Sequence, residues 1–257
     1  MKRKLQIVLA LAVVALIGAG CSNMESKQYY SSVVTLIDGT WSYAYSAEFD
    51  NVYLDQPTGK TAYITNSNRY PFTFSEKLNG EGRAQIWYEV DEASSMEGFD
   101  HVISLVAHPE PISTFNLVSI KDPEVTELDK YTAPAHVTQM TYSFNTNYLT
   151  VVFAIPASQT GNYSHKLQLL YNDNPEHEGA YQEYYPATDD GYLYLELYHD
   201  SNGDIGTTLA NPMACYKVDR GALRLNYMDT YKGIKVIQPA ETGRVEIFTY
   251  DFPKVGK

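Results

Sequence analysis

Residues 191–200 read GYLYLELYHD, and this stretch decides the fold class. Leucine stands at every second position from 193 to 197, with tyrosine or glutamate between. Strict alternation of this kind is typical of a β-strand with one buried face, because successive side chains point to opposite faces of a sheet. The leucine face is therefore predicted to lie in a core. The opposite face is predicted to be exposed or half-exposed, and it carries Tyr192, Tyr194, Glu196 and Tyr198.

Period-two segments recur along most of the chain. Five of them lie within residues 32–108, separated by turn clusters such as DGT and LNGEG, and a sixth ends near residue 122. After a stretch bracketed by Pro123 and Pro134, seven more follow between residues 136 and 252. Seven short alternating segments at this spacing predict an antiparallel β-sandwich. We therefore predict an all-β chain with a first module at 32–122, a linker at 123–135 and a sandwich at 136–257.

The N-terminus has the three parts of a secretory signal. Residues 2–4 are basic, residues 7–17 form an apolar run, and residues 18–20 are small. The run is too short to span a bilayer, which takes about 20 residues. Residues 1–20 are therefore predicted to be a signal peptide that is removed.

The cysteine directly after this signal, Cys21, has a second implication. Its position resembles the lipobox of bacterial lipoproteins, and the resemblance implies that Cys21 is acylated. Two acyl chains anchor a protein stably in a bilayer. The chain is then expected in the bacterial cell envelope, at the outer membrane, held to the lipid bilayer by a lipidated tether at residues 21–31.

The charge balance excludes one large class of partners. The chain has 19 basic and 31 acidic residues, a net charge of −12. Removal of residues 1–20 takes away three basic residues and no acidic ones, which leaves a net charge of −15. Affinity for nucleic acid is dominated by Lys and Arg contacts to phosphates, so nucleic acid is not expected as a partner.

Three stretches carry a family resemblance: RAQIWYEVDEA at 83–93, NTNYLTVVFAIP at 145–156 and GYLYLELYHDSNGD at 191–204. With the lipoprotein signal and the order of the two strand groups, they resemble the NigD-like lipoproteins of the Bacteroides–Prevotella group. The resemblance implies an N-terminal OB-like barrel followed by a C-terminal β-sandwich. It also implies a role in bacteriocin immunity, and it brings no catalytic motif.

Candidate chemistry is sparse. Asp200, Asn202 and Asp204 have the spacing of the first ligands in a calcium loop, but Ile205 and Asn211 stand where that loop needs Gly and Glu. Asn202-Gly203 instead favours a tight hairpin turn. Cys215 alternates with polar neighbours and is predicted to be a core residue. No nucleophile elbow, phosphate loop or dinucleotide motif occurs, so we expect no enzyme, cofactor or metal.

Tyrosine is unusually frequent in this sequence, with 23 residues. Flat amphipathic rings make good contact surfaces, so the face formed by Tyr192, Tyr194, Glu196 and Tyr198 is the candidate partner-binding site. The alternative is that tyrosine merely has high β-propensity. The loop at 173–190 is long and polar, and long loops are often functional or mobile.

Three function classes follow from these observations. The leading one is a membrane-anchored recognition module for a protein or peptide, with a bacteriocin as the partner that the resemblance implies. The second is an accessory lipoprotein that binds glycan through tyrosine. The third is a hydrolase that uses the loop carboxylates Asp189 and Asp190, since paired carboxylates at a suitable distance hydrolyse glycosidic bonds.

Overall fold

The structure is a computed structural model that describes residues 28–39, 44–50, 60–74, 81–158, 165–173, 176, 178–218, 231–240 and 243–253. The predicted signal peptide, Cys21 and the tether up to residue 27 lie outside the described residues. Residues 30 and 31, which the sequence assigned to the tether, already belong to the first strand. No helix in the described ranges is long and apolar enough to cross a membrane.

The prediction of an all-β chain is confirmed. Sixteen strands lie in the described residues, together with single 3-10 turns at Ser67–Arg69, Leu128–Lys130 and Gln182–Tyr184. The strands of the N-terminal half are β1 Tyr30–Asp38, β2 Tyr45–Phe49, β3 Thr61–Ile64, β4 Glu81–Val90, β5 His101–Leu105, β6 Glu110–Pro111, β7 Ser113–Asn116 and β8 Val118–Ser119. Those of the C-terminal half are β9 His136–Tyr142, β10 Tyr148–Ala157, β11 Lys166–Tyr171, β12 Tyr192–Asp200, β13 Thr208–Ala210, β14 Met213–Lys217, β15 Gly233–Pro239 and β16 Val245–Asp251.

The first module is a barrel. Within the described ranges its strands pair in the order β1-β2-β3-β5-β4, and β4 pairs back to β1, so the ring of five strands is closed. All these pairs are antiparallel except β3 with β5. A closed five-stranded barrel of this kind is the OB-like architecture. Its interior is filled by apolar side chains that include Val34, Leu36, Ile64, Ile86 and Ile103.

The second module is the expected sandwich. One sheet has the order β13-β10-β14-β7 with β9 also on β10, and the other has the order β16-β15-β12-β11-β8. The leucine face of β12 lies in the core between the sheets, as predicted, with Phe153 of β10 and Val236 of β15. Pairing is mixed, where the sequence led us to expect antiparallel strands: β12 with β15, β14 with β7 and β11 with β8 are parallel. Long connections separate these partners in sequence, and parallel pairing requires such connections.

The boundary between the modules also differs from the prediction. Strands β7 and β8, which the sequence analysis assigned to the first module at 32–122, pair with β14 and β11 of the sandwich. The segment predicted as a linker, 123–135, is packed against the sandwich: Tyr131 and Ala135 are buried, and Thr132 forms a β-bridge with His199. Its two prolines marked a break in strand periodicity, and periodicity does not reveal which module a segment packs on.

An ion pair of the barrel, between Arg83 and Asp50, lies at the junction with the sandwich. Arg83 of β4 has a fully buried side chain and donates from both terminal nitrogens to the carboxylate of Asp50, at 2.7 and 2.5 Å. The same nitrogens donate to Thr35 of the barrel at 2.9 Å and to Thr150 of the sandwich at 3.3 Å. The guanidinium also lies 4.8 Å from the ring centroid of Tyr148. Arg83 is thus bonded to both modules at once.

Other contacts extend this junction. Lys217 of β14 pairs with Glu81 of β4 at 2.7 Å, and Asn145 donates to Glu48 at 3.1 Å. Cys215 lies beside the junction, fully buried and 3.3 Å from the hydroxyl of Thr150, which confirms its prediction as a core residue. Among the described residues, barrel and sandwich are therefore joined by polar contacts, and their apolar cores are separate clusters.

Candidate functional site

The predicted tyrosine face of β12 is divided into an open half and a closed half. Tyr192 and Tyr194 are half-buried, as expected. Glu196 is 0% exposed and Tyr198 is 4% exposed, so the prediction of an exposed face is wrong for these two residues. The physical reason is a cover: the loop at 178–186 folds over this end of the strand and brings Tyr181 and Tyr185 onto it.

The closed half is built around the carboxylate of Glu196. It accepts hydrogen bonds from Tyr198 at 2.5 Å, from Tyr185 at 2.8 Å and from Asn172 at 3.1 Å. Burial, together with this nearby carboxylate, raises the pKa of Tyr185 and of Tyr198 above the ordinary tyrosine value. Tyr181 also covers the strand and donates to the carbonyl oxygen of Leu197 at 3.2 Å. Glu196 therefore fixes the loop to the sheet and has no access to a partner.

The open half forms one wall of a cavity of about 450 Å³, which we call the tyrosine cavity. The other lining residues are 171–173, residues 185–190 of the long polar loop, and Tyr231. Among the described residues its tyrosines and acidic side chains are Tyr171, Tyr185, Tyr192, Tyr194, Tyr231, Asp173, Asp189 and Asp190. Two of the four predicted site residues, Tyr192 and Tyr194, are thus brought together in a concave site.

One ion pair organises the open half. Lys235 of β15 pairs with Asp190 and donates to the hydroxyl of Tyr194 at 3.0 Å. Its ammonium lies 4.5 Å from the ring centroid of Tyr192 and 5.2 Å from that of Tyr194, within the range of a cation–π interaction. Lys235 therefore holds the two tyrosine rings and one carboxylate of the cavity in a single cluster.

The charges of this cluster stabilise each other. Burial by itself would raise the pKa of Asp190, but hydrogen bonds from Lys235 and Tyr194 outweigh it and hold that pKa below its ordinary value. The hydrogen bonds to Asp190 and Tyr194 raise the pKa of Lys235. Both groups are consequently charged at neutral pH. Asp190 is a structural ion-pair partner, whereas Asp189 accepts only the backbone N–H of Gly191 and pairs with no basic side chain among the described residues.

The turn at 200–204 has the predicted backbone but a different role. Asn202 and Gly203 both have positive φ, at 49° and 82°, which confirms the tight turn. The turn connects β12 to β13, strands of different sheets, so it is not a hairpin. Asp204 accepts from Ser158 at 2.5 Å and approaches Nε2 of His165 at 3.1 Å. The hydrogen bond from Ser158 is the main cause that holds the pKa of Asp204 well below its ordinary value.

This turn lies at one end of a row of hydrogen-bonded side chains that sequence reasoning missed. His165 lies 2.9 Å from Nε2 of His199, which is fully buried and donates from Nδ1 to the carbonyl of Pro134 at 2.8 Å. Burial lowers the pKa of His199. No group of three or more metal-ligating side chains that could hold an ion is found in the described part of the chain. The hydrogen bonds among these side chains connect the turn to the neighbouring segments of the sandwich.

Sequence reasoning also missed Tyr185 and Tyr231, which line the cavity, and Lys235, which pairs with the cavity residue Asp190. Lys235 lies on β15, a strand that is parallel to β12 and separated from it by some 30 residues of chain, with Tyr194 and Lys235 directly opposite in register. Pairing of such distant segments leaves no signal in local periodicity. The polar loop was the one usable signal, since it predicted the region that contains Tyr185.

The buried tyrosines predict a loss of stability at alkaline pH. Burial raises the pKa of Tyr45 and of Tyr181 to about 12, whereas an unfolded chain ionises tyrosine near pH 10. Below pH 10 their contribution to stability is fully present. From pH 10 to about 12 the unfolded state releases protons that the folded state retains, so the free energy of unfolding falls as pH rises. Circular dichroism should change together with the ionisation of the buried tyrosines above pH 10. Ionisation of all 23 tyrosines near pH 10 with unchanged circular dichroism would contradict this.

Comparisons with known proteins agree with the architecture. A family model described as the NigD-like C-terminal β-sandwich domain matches residues 117–250, a range that begins just before β8. No curated protein matched the chain in a sequence comparison.

Several solved structures share the fold. A protein of unknown function from Bacteroides vulgatus is 21% identical over 89% of this chain and 93% of its own, with a TM-score of 0.60. A candidate lipoprotein from Bacteroides fragilis is 15% identical over 89% of this chain and 100% of its own, with a TM-score of 0.57. These identities establish similarity of fold alone. The family model covers more than half of the residues, and the chain therefore belongs to the family of proteins with the NigD-like C-terminal β-sandwich domain.

Proposed function

We propose that this protein is a lipid-anchored, non-enzymatic recognition protein of the bacterial envelope that binds a segment of a neutral or basic polypeptide in the tyrosine cavity. The observation that carries the proposal is the concave cluster of tyrosines at the open end of β12, with acidic side chains at its edge. Tyrosine is enriched at the centre of protein–protein interfaces, where its ring supplies contact area and its hydroxyl a hydrogen bond.

The electrostatics support a partner without negative charge. The chain has a net charge of −12, and Asp189 at the cavity has no basic partner among the described residues. Complementary charge speeds encounter and disfavours acidic partners. A cationic bacteriocin, the partner that the family resemblance implies, has this chemistry.

A second candidate is a neutral glycan. Lys235 already occupies the position over the rings of Tyr192 and Tyr194 that a cationic side chain of a partner would take. A ligand rich in hydroxyl groups does not need to place a cation over these rings. Carboxylate and tyrosine oxygens can form hydrogen bonds with its hydroxyls. The cavity volume of about 450 Å³ lies in the range of small-ligand sites.

Catalysis is not part of the proposal. The two carboxylates suggested for hydrolysis are adjacent in sequence, and Asp190 is held as the charged partner of Lys235, so it is not available as a general acid at neutral pH. The family to which the chain belongs contributes no catalytic motif.

The binding proposal predicts the effect of one ring. Tyr192→Ala should weaken binding of an acetylated tetralysine or tetrathreonine peptide to the full chain by about thirtyfold, the effect of truncating an anchor residue. Isothermal titration calorimetry measures this. Tyr29→Ala is the matched control, because Tyr29 is an exposed tyrosine outside the cavity, and it should leave binding unchanged. Equal losses in both variants would contradict the proposal, and binding of soluble glucan but neither peptide would establish the glycan alternative.

The membrane anchor predicts a change in partitioning. The full chain expressed in a Bacteroides host should enter the detergent phase of a phase separation, because two acyl chains bind a bilayer stably. Cys21→Ala should remain in the aqueous phase, and Cys215→Ala is the matched control that should still enter detergent. An aqueous wild-type chain would refute the anchor.

A further inference from the structure

In the described part of the chain, the sandwich is open along one side. Strand β7 is the last strand of its sheet, and in the other sheet β8 pairs only with Leu170 and Tyr171 of β11. The preceding part of β11, from residue 166 to 169, therefore has no neighbouring strand on that edge among the described residues. A groove of about 510 Å³ lies between the two edges and is lined by both β7 and β11. We call it the strand groove.

Backbone groups on this edge are left unpaired. The N–H of Ile120 donates to the carbonyl of Tyr171 at 2.9 Å, so Tyr171 directs its backbone groups toward β8. Backbone groups alternate along a strand, and Leu167 consequently directs its N–H and C=O to the same edge, away from β12. Leu167 has no partner in β8, and no backbone hydrogen bond outside the strand ladders joins it to a described residue. An unpaired strand edge of this kind is a template for another strand.

The side chains of the groove are also incompletely satisfied. Phe115 of β7 is 47% exposed, and its ring centroid lies 5.7 Å from that of Tyr216. Tyr216 is 2% exposed, yet its hydroxyl has no hydrogen-bond partner in the described part of the protein, and the same holds for Oε1 of Gln168. Both residues line the groove. Leaving a buried polar group unpaired is destabilising, and a peptide group brings both a donor and an acceptor.

We propose that the strand groove binds an extended peptide segment of a partner polypeptide, which adds to β11 as a further strand. This mode of recognition obtains affinity from main-chain hydrogen bonds and specificity from alternate side chains. The open edge of four residues spans about 13 Å, enough for a short strand. The site is separate from the tyrosine cavity, so the proposal does not rest on the function proposed above.

The rim of the groove defines the chemistry of the segment. Alternate apolar side chains would pack on Phe115 and Leu167. Two carboxylates, Asp122 and Glu124, line the groove together with one lysine, Lys166, and one histidine, His165, so a neutral or basic segment fits better than an acidic one. A second copy of the chain is disfavoured as the occupant, because each copy has a net charge of −12.

Amide hydrogen exchange tests this directly. The full chain is mixed with capped six-residue peptides in which valine alternates with lysine, threonine or glutamate. The lysine and threonine peptides should slow exchange of the Leu167 amide by about tenfold at saturation, since the amide becomes hydrogen-bonded. The glutamate peptide should bind more weakly. If no peptide slows this amide, or if the glutamate peptide binds best, the proposal is overturned.

Two variants separate strand addition from simple adhesion. Leu167→Pro removes the N–H on the open edge, so peptide binding should be lost, and proline is tolerated at strand edges. Leu167→Ala retains the N–H and should retain most of the peptide binding. Equal losses would overturn the proposal.

If the proline variant fails to fold by circular dichroism, Phe115→Ser should weaken peptide binding about tenfold, and unchanged binding would overturn it. Protection of Leu167 by concentration-dependent dimers in ultracentrifugation would assign the groove to a second copy instead.

Discussion

Replacing Arg83 by methionine is expected to lower the free energy of unfolding by about 3–5 kcal/mol, the range seen when one partner of a buried ion pair is removed. The side chain of Arg83 is fully buried and donates to Asp50, Thr35 and Thr150. Methionine fills similar volume, so the loss reports on the unpaired carboxylate and the two hydroxyls rather than on a cavity.

Urea denaturation of the two chains measures the effect. Arg69→Met is the matched control, because Arg69 is exposed and lies over the ring of Tyr70 at 5.7 Å, and it should change stability by less than about 1 kcal/mol. Arg83→Lys should recover only part of the loss, because an ammonium cannot donate to both oxygens of Asp50 in a fixed fork. Unfolding in two separate transitions would show that Arg83 couples the modules, and a loss below about 1 kcal/mol would contradict the prediction.

Replacing Glu196 by alanine is expected to lower the free energy of unfolding by about 2–4 kcal/mol, because hydroxyl and amide donors then lose their common acceptor. The donors are Tyr198, Tyr185 and Asn172, and the carboxylate is 0% exposed. The loss of stability arises from buried donors that are left without partners. It is expected to loosen the loop that forms a wall of the tyrosine cavity.

Thermal and urea unfolding measure this loss. Glu246→Ala provides the control: Glu246 is largely exposed on β16 and 3.7 Å from His136, and exposed pairs contribute about 0–1 kcal/mol. Glu196→Gln should be intermediate, since its amide retains one acceptor oxygen. Proteolysis within residues 178–186 should become faster in the alanine variant if Glu196 holds the loop, and unchanged cleavage together with unchanged stability would contradict this role.

Much of the architecture was available from local pattern. The alternation around GYLYLELY identified β12 and its core leucines, and similar alternation identified the other six long strands of the sandwich. The burial of Cys215 and the positive φ values of Asn202 and Gly203 were predicted correctly as well. These features depend on the residues within a few positions of one another, which is why one sequence suffices for them.

The sequence by itself therefore determined that the chain is all-β, where its strands lie and which face of β12 carries leucine, because strand periodicity is a local property. Only the tertiary structure decided that Glu196 and Tyr198 are covered, that Lys235 meets Tyr194, and that Arg83 joins barrel to sandwich. A period-two pattern indicates that a strand has two faces, but it does not indicate which distant segment packs on the second face. Burial of that face and the pairing of its charges follow from long-range topology, and the candidate sites consist of these long-range contacts.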